Sequence, residues 1–288
     1  MENNKPLWFN NNEKTKNIKI KEVVEKEKPI AIYVATPVHD TCTIHYTRAV
    51  LLFQQACLKN NILTTYGLLK SSLVQQGRNL LVSEFLSADI KYDYFLFIDS
   101  DIDFNYETIK TMMDKDKDVI ACPYPMKTLN WDKIWTRLNN EGIDQADHLM
   151  KSGFTFPVKM KDPKNIMVDD GICEVSNAPT GCMLIKRKVL EDMTEHYPEL
   201  KINQTTIING KETTKPNFYN FFDTYHDPKT QEFYGEDFGF CKRWTDMGGK
   251  IYLYIMDYIT HAGEYQYCGR MWDELQYNKR IDEASKKE

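Results

Sequence analysis

Short continuous runs of apolar residues alternate with segments of helical periodicity in the first half of the chain. Residues 30–35 form such a run, which ends at Thr36-Pro37, and this pattern is typical of a strand buried on both faces. In residues 43–59 the apolar positions recur at roughly helical spacing up to Asn60-Asn61, which predicts a helix. The alternation continues with predicted strands at 62–69, 94–98 and 119–121 and predicted helices at 73–88 and 106–113.

This order of elements predicts an α/β fold with a mainly parallel sheet. Four strands and three helices alternate within about 95 residues, and right-handed crossovers would place the helices on both faces of the sheet. In such sheets, ligands bind beyond the carboxyl ends of the strands. Polar residues that follow the predicted strands are therefore candidates for a functional site.

The second half of the chain is less regular. Residues 124–176 are polar, are interrupted by Pro and Gly, and carry isolated aromatic residues such as Trp131 and Trp135, which predicts a long functional loop. Regular structure is expected to resume with strands at 181–185 and 251–255, helices at 189–197 and 235–247, and a stretch at 207–225 whose pattern allows a hairpin.

The sequence predicts a single folded domain with an extension at each end. Residues 1–28 are rich in Asn, Lys and Glu and show little apolar periodicity, so we expect a flexible tail there. The domain is predicted to span residues 29–265. Residues 266–288 are predicted to form a C-terminal helical extension.

Composition narrows the class of protein. Hydrophobic residues make up 42% of the chain and charged residues 27%, as in folded globular proteins. The net charge of −5 argues against a protein that coats nucleic acid, so no nucleic-acid partner is predicted. No apolar run approaches the roughly 18–20 residues that span a bilayer, and residues 1–5 lack the apolar core of a secretion signal. The seven cysteines form no C-x-x-C pair, so we expect reduced thiols and a cytoplasmic location.

Three carboxylates at alternate positions follow the most apolar predicted strand. Asp99, Asp101 and Asp103 come directly after residues 94–98, at the edge where an α/β sheet forms its ligand site. Clustering three anions is unfavourable unless a cation compensates, and carboxylate oxygens suit Mg²⁺ or Mn²⁺. A solvated acidic turn is the alternative, but the position after a buried strand favours a metal site.

A second pair of carboxylates opens the predicted helix at 235–247. Glu236 and Asp237 lie in its first turn, where the helix dipole alone favours negative charge. The functional interpretation is that Asp237 acts as a general base toward an acceptor hydroxyl. Glu236 would then position the acceptor.

Other polar residues at predicted element ends complete the candidate set. Arg78 at a helix start could address a diphosphate or a base, and an ordinary surface salt bridge is the alternative. His261 follows the last predicted strand, and His39 follows the first through Thr36-Pro37. For these, a structural histidine and a plain turn are the alternatives.

Taken in chain order, seven short motifs resemble the nucleotide-sugar-dependent glycosyltransferases of the GT-A fold. They are Thr36-Pro37, Arg78-Asn79, Phe97-Ile98-Asp99-Ser100-Asp101, Tyr124-Pro125-Met126-Lys127, Thr180-Gly181, Glu236-Asp237-Phe238 and His261-Ala262-Gly263. The chain is most similar to the D-x-D enzymes of large DNA viruses, bacteriophages and bacteria, and similar also to the glycosyltransferase domain of collagen-modifying enzymes. The resemblance implies a Rossmann-like GT-A sheet flanked by helices.

The resemblance also implies roles for individual residues. Asp99 would contact the ribose or the metal, Asp101 would bind the metal, and His261 would be a further metal ligand. Asp237 matches the base of inverting members or an acceptor-binding carboxylate in others, with Glu236 beside it. The nucleotide sugar would be bound by Thr36, Pro37, His39, Arg78, Asp99, Ser100, Lys127 and Gly181.

The expected activity is therefore metal-dependent transfer of a sugar from a nucleotide diphosphate sugar to an acceptor hydroxyl. The resemblance implies Mn²⁺ or Mg²⁺ as the cofactor and UDP as the nucleotide, and it leaves the acceptor open between a glycan, a protein and a small molecule. Lys-rich and Asn-rich usage is compatible with a viral or phage source, for which the location would be the host cytoplasm.

Two other functions stay open. One is a non-catalytic module that binds a nucleotide sugar or a glycan. The other is a haloacid-type phosphatase, which also carries D-x-D, but on its first strand and with Thr or Val where this chain has Asp103. The chain lacks the Walker A, G-x-G-x-x-G, G-x-S-x-G and H-E-x-x-H motifs, which argues against the common ATPases, dinucleotide enzymes, esterases and zinc proteases.

Overall fold

The computed structural model of the protein describes residues 28–141, 150–203, 205–208, 210–276 and 279. The predicted flexible tail, except residue 28, lies outside these residues. The strands are β1 (Ala31–Val38), β2 (Leu63–Lys70), β3 (Tyr94–Ile98), β4 (Ile102–Asp103), β5 (Val119–Ala121), β6 (Lys159–Met160), β7 (Ile172–Asn177), β8 (Cys182–Lys186), β9 (Thr205–Ile208), β10 (Lys211–Thr214), β11 (Tyr225–His226), β12 (Phe233–Tyr234), β13 (Ile251–Tyr254), β14 (Ile259–Ala262) and β15 (Gln266–Gly269). The helices are α1 (Ile44–Lys59), α2 (Val74–Ser87), α3 (Tyr106–Asp114), α4 (Trp131–Glu141), α5 (Arg187–His196) and α6 (Glu236–Asp246), with a short 3-10 helix at Pro198–Leu200.

Eight strands form a central sheet in the order β2-β1-β3-β8-β5-β13-β7-β6. The strands β2, β1 and β3 are parallel neighbours, and so are β5 and β13. The strands β8 and β7 run antiparallel to both of their neighbours, so six of the eight strands point in one direction. The predicted mixed α/β fold with a mainly parallel, Rossmann-like sheet is confirmed at this level. The expected unbroken series of parallel strands is wrong at one place, because β8 lies between β3 and β5.

Both faces of the sheet are covered, which explains the continuous apolar runs. In β1, Ile32 and Val34 pack into one cluster, whereas Ala31, Tyr33 and Ala35 pack into the other. The first cluster is completed by α1 and α3, and the second by α2, α5 and α6. A strand that must bury both faces cannot alternate apolar and polar residues.

The segment predicted as a long loop contains α4, β6 and β7, so the expectation of irregular structure over 124–176 is wrong in these places. The inward face of α4 explains why its sequence does not look helical. Ile134 is buried there together with Arg137, whose Nη1 lies 2.5 Å from the Ser152 carbonyl oxygen and 3.2 Å from Glu274. A charged residue therefore stands at a core-facing position where helical periodicity requires an apolar one.

A second, three-stranded sheet connects the D-x-D segment to the end of the domain. Its order is β15-β14-β4, and β4 pairs with β14 so that Ile102 lies opposite His261. The predicted helical extension at 266–288 begins with the strand β15, and residues 271–276 are helical. Of the residues beyond, only 279 is described. Within the described residues, no helix combines the length and apolar character needed to span a membrane.

Candidate active site

A cleft of about 360 Å³ opens at the carboxyl ends of β1 and β3. This is the edge at which open α/β sheets bind ligands. Its walls come from the end of β1, the start of α2 and the D-x-D turn, and they include five of the predicted ligand-binding residues: Pro37, His39, Arg78, Asp99 and Ser100. Asp101 also lines the cleft.

Arg78 lies below this cleft and joins two carboxylates. Its side chain is only 4% exposed, and it contacts Asp99 through Nη1 to Oδ1 at 3.0 Å and Nη2 to Oδ2 at 3.2 Å. Its Nε donates to Glu236 at 3.3 Å. Burial alone would lower the pKa of Arg78, but the two carboxylates outweigh it and the pKa rises. Arg78 is therefore a buried ion-pair partner that fixes Asp99 and Glu236, and not the surface salt bridge considered from the sequence.

Asn79, the neighbour of Arg78, extends this anchor to the segment before α6. Its side-chain amide donates to the Phe222 carbonyl oxygen at 3.0 Å and accepts from the Phe222 amide at 2.9 Å. From the sequence, Asn79 was part of the Arg78-Asn79 motif but had no predicted role of its own. Since α6 follows the segment containing Phe222, the pair Arg78-Asn79 ties α2 to the start of α6 through both charge and hydrogen bonds.

Asp101 lies next to a lysine and a histidine side chain. The Lys127 Nζ atom is 2.5 Å and the His261 Nε2 atom 3.4 Å from Asp101 Oδ2. Burial would raise the pKa of Asp101, but the neighbouring His261 and Lys127 side chains outweigh it, so the pKa is lowered. The pairing of β4 with β14 brings these residues together across 160 positions of sequence.

Asp103, the third carboxylate of the motif, is turned away from this group. Its Oδ2 accepts from Arg48 of α1 at 2.7 Å and lies 3.9 Å from His45 Nδ1. Each carboxylate of the D-x-D-x-D segment therefore has its own positively charged partner. Asp103 contacts α1, whereas Asp99 and Asp101 line the cleft.

Asp237 lies in the first turn of α6, beside Glu236. Its Oδ1 accepts from the amide of Phe238 at 2.8 Å. Burial, followed by the charge of Glu236, raises its pKa to about 6. A carboxylate of this kind is ionised at neutral pH and remains basic enough to accept a proton.

Three predicted ligand-binding residues do not line the cleft, namely Lys127, which contacts Asp101, and Thr36 and Gly181, which pack in the protein. Thr36 is buried, and its hydroxyl lies 2.7 Å from the Tyr46 hydroxyl of α1. Gly181 donates its amide to Tyr124 Oη at 3.2 Å and accepts from the Asp99 amide at 3.0 Å. A Cβ atom at Gly181 would lie 2.4 Å from Tyr124 Oη, so glycine is needed for close packing beneath Asp99.

The predicted metal ligands Asp99, Asp101 and His261 are not gathered around one point. Asp99 faces Arg78, and the described part of the chain contains no group of three or more His, Cys, Asp or Glu side chains that could hold a metal ion. Asp101 and His261 nevertheless fit a metal with two protein ligands. His261 Nδ1 donates to the Pro125 carbonyl oxygen at 3.0 Å, which leaves the Nε2 lone pair facing a carboxylate. Two such acceptors 3.4 Å apart require a proton or a cation between them.

Comparisons with known proteins give weak similarities. No family model and no curated protein matches the chain. Among solved structures, A197 from STIV is 17% identical over 82% of this chain and 86% of that chain, with a TM-score of 0.42. A glycosyltransferase involved in the glycosylation of the major capsid of PBCV-1 is 11% identical over 59% and 68%, with a TM-score of 0.31. The 4-diphosphocytidyl-2C-methyl-D-erythritol synthase from Anaerococcus prevotii DSM 20548 is 11% identical over 76% and 99%, with a TM-score of 0.30. At this level of similarity neither family nor activity follows.

Replacing Arg78 with Met should destabilise the protein strongly. The variant leaves Asp99 and Glu236 without their shared partner, and breaking a buried ion pair from one side costs about 3–5 kcal/mol. Chemical denaturation measures the loss. The triple variant Arg78→Met, Asp99→Asn, Glu236→Gln removes all three charges together and should recover part of the stability. Wild-type stability of Arg78→Met alone would contradict the role given to the ion pair.

Proposed function

We propose that the protein is a metal-dependent glycosyltransferase of the GT-A type, which transfers a sugar from a UDP-sugar to an acceptor hydroxyl. The observation that supports it best is the arrangement at the carboxyl edge. A cleft ends at Asp101, which contacts Lys127 and His261, and Asp99 in its wall is joined through Arg78 to Glu236, the neighbour of Asp237.

In this proposal the nucleoside occupies the cleft beside Pro37 and His39. Asp99 is held in place by the buried guanidinium of Arg78, and its carboxylate oxygens can accept hydrogen bonds from ribose hydroxyls. Lys127 and the pair Asp101–His261 bind the diphosphate end. A divalent ion held by Asp101 and His261 would supply positive charge toward the leaving diphosphate.

Asp237 serves as the general base. It accepts the proton of the acceptor hydroxyl while the hydroxyl oxygen bonds to the anomeric carbon. The bond from that carbon to the diphosphate oxygen breaks, and its electron pair leaves with the nucleoside diphosphate. Glu236 is held by Arg78 at 3.3 Å, so its carboxylate has a fixed position from which it can orient the acceptor.

The other functions are less well supported. In a haloacid-type phosphatase the first Asp of the motif must be free to attack phosphorus, whereas Asp99 is paired with a buried guanidinium. A non-catalytic binding module would leave Asp237 without a role, and turnover separates it from an enzyme. Release of UDP or GDP from a panel of nucleotide sugars, with Mn²⁺ present, tests the activity directly. Tight binding without turnover would favour the binding module.

Asp237→Asn should keep donor binding and lower turnover by about 10²-fold or more, the scale of a lost general base. Wild-type activity should rise with pH through about 6, because Asp237 must lose its proton to act. Steady-state kinetics between about pH 5 and about pH 8 measures both effects. Because the pKa of Asp237 is raised in the folded protein, its ionised form destabilises the fold. Asp237→Asn should therefore raise the melting temperature more at about pH 8 than at about pH 5. Near-normal turnover would return Asp237 to a helix-terminal role.

His261→Ala should weaken Mn²⁺-dependent UDP binding without unfolding the protein. The imidazole contributes a nitrogen ligand, for which Mn²⁺ is better suited than Mg²⁺, so wild type should prefer Mn²⁺. Calorimetric titration of the metal, with UDP present, measures the change. His45→Ala is the matched control, since His45 lies beside Asp103 and outside the proposed metal site. If His261→Ala binds Mn²⁺ and UDP as tightly as wild type, the histidine is structural.

A further inference from the structure

Two tryptophans on α4 project into solvent side by side. Trp131 is 70% exposed and Trp135 is 66% exposed. Residues four apart in a helix lie on the same face, with Cβ atoms about 5–6 Å apart. Two large exposed rings in successive turns form a contiguous apolar surface, and such surfaces mark binding sites.

The helix that carries them is fixed from below. Ile134 and Arg137 are buried on its inner face, Arg137 at 1% exposure, and Lys133 Nζ donates to the Phe154 carbonyl oxygen at 2.8 Å and to Glu274 at 2.6 Å. The two cations of α4 therefore face the protein. Its outer face carries the tryptophans, Leu138, which is 37% exposed, and the exposed polar residues Asp132, Thr136 and Asn139.

The tryptophan surface continues from the proposed active site. Lys127, which contacts Asp101, precedes Trp131 by four residues, so their Cα atoms lie at most about 14 Å apart. The backbone between them is held by the Asn130 amide, which donates to the Gly153 carbonyl oxygen at 3.0 Å. The Lys127 side chain packs on Gly263, where an added Cβ would lie 3.1 Å from Lys127 Cδ.

We infer that Trp131 and Trp135 bind sugar rings of a carbohydrate acceptor. The C–H face of a pyranose is apolar and packs flat on an indole, while its hydroxyl groups point outward and can bond to Asp132 and Asn139. The inference rests on the proposed function for its link to transfer, because the acceptor must reach the sugar donor at Asp237. The proposed acceptor is therefore an oligosaccharide.

The charge and size of the surface favour this occupant over others. Anionic membranes and nucleic acids require outward cations, and the cations of α4 are turned inward. The exposed apolar side chains on this face of α4 are Trp131, Trp135 and Leu138, whereas a stable protein interface buries roughly 800 Å² per partner from about 20–30 residues a side. An oligosaccharide of a few rings matches the smaller area.

Saccharide binding in the absence of any donor tests the inference. Wild-type protein is screened on an array of immobilised oligosaccharides and then titrated with cellotetraose, maltotetraose and chitotetraose by calorimetry. Trp131→Ala/Trp135→Ala should weaken the best saccharide at least about 10-fold, as expected for loss of aromatic anchors. Trp131→Phe/Trp135→Phe should restore part of the affinity. Leu51→Ala/Leu52→Ala is the control, because these residues of α1 are similarly exposed, at 66% and 57%.

The outcomes separate this inference from the proposed function. Saccharide binding that depends on the tryptophans supports the inference, even if no nucleotide sugar is turned over and the proposed function fails. If the protein is active, the double alanine variant should lose transfer to saccharide while it retains UDP binding and melting temperature. No saccharide binding by wild type, equal binding by the double alanine variant, or tryptophan-dependent binding only to phosphatidylglycerol vesicles would overturn it.

Discussion

A single buried guanidinium holds together the elements that carry the carboxylates of the candidate site. Arg78 of α2 contacts Asp99 at the end of β3 and Glu236 at the start of α6, and its guanidinium lies 5.0 Å from the centre of the Phe97 ring. Burying this charge is unfavourable unless both carboxylates remain in place. The positions of β3, α2 and α6 at the cleft are therefore coupled, and a shift of any one of them would leave a buried charge unpaired.

The same principle organises the acidic motif. Three aspartates at alternate positions would repel one another, yet each has a separate partner: Asp99 has Arg78, Asp101 has Lys127 and His261, and Asp103 has Arg48. The partners differ in accessibility. Arg78 is buried, whereas the Lys127 side chain is 38% exposed. Asp101 is thus the carboxylate whose present cation can be exchanged for another, and Asp99 is the one fixed by the fold.

The sequence predicted the elements whose signal is local and missed those that depend on distant partners. Continuous apolar runs predicted β1 and β3 because both faces of these strands are buried. No local pattern could indicate that β8 enters antiparallel between β3 and β5, since that choice depends on the path of residues 122–181. The helix α4 was missed because Arg137 replaces an apolar residue on its inner face and tryptophans occupy its outer face. At the candidate site, the alternating carboxylates follow β3 and two of them line the cleft, but the pairing of Asp99 with Arg78 depends on how the chain folds and has no local signal.

The pKa of Asp237 differs from that expected of a carboxylate that only stabilises the start of a helix. Negative charge in the first turn of a helix is stabilised by the helix dipole, which on its own favours the ionised form and a low pKa. The pKa of Asp237 instead rises to about 6, because burial and the neighbouring Glu236 outweigh the hydrogen bond from Phe238 and the charge of Arg78. Glu236 satisfies Arg78, so Asp237 is not needed for that ion pair. The position of Asp237 therefore carries a free-energy cost that neither the helix dipole nor the ion pair recovers, which is why we propose this residue as the general base.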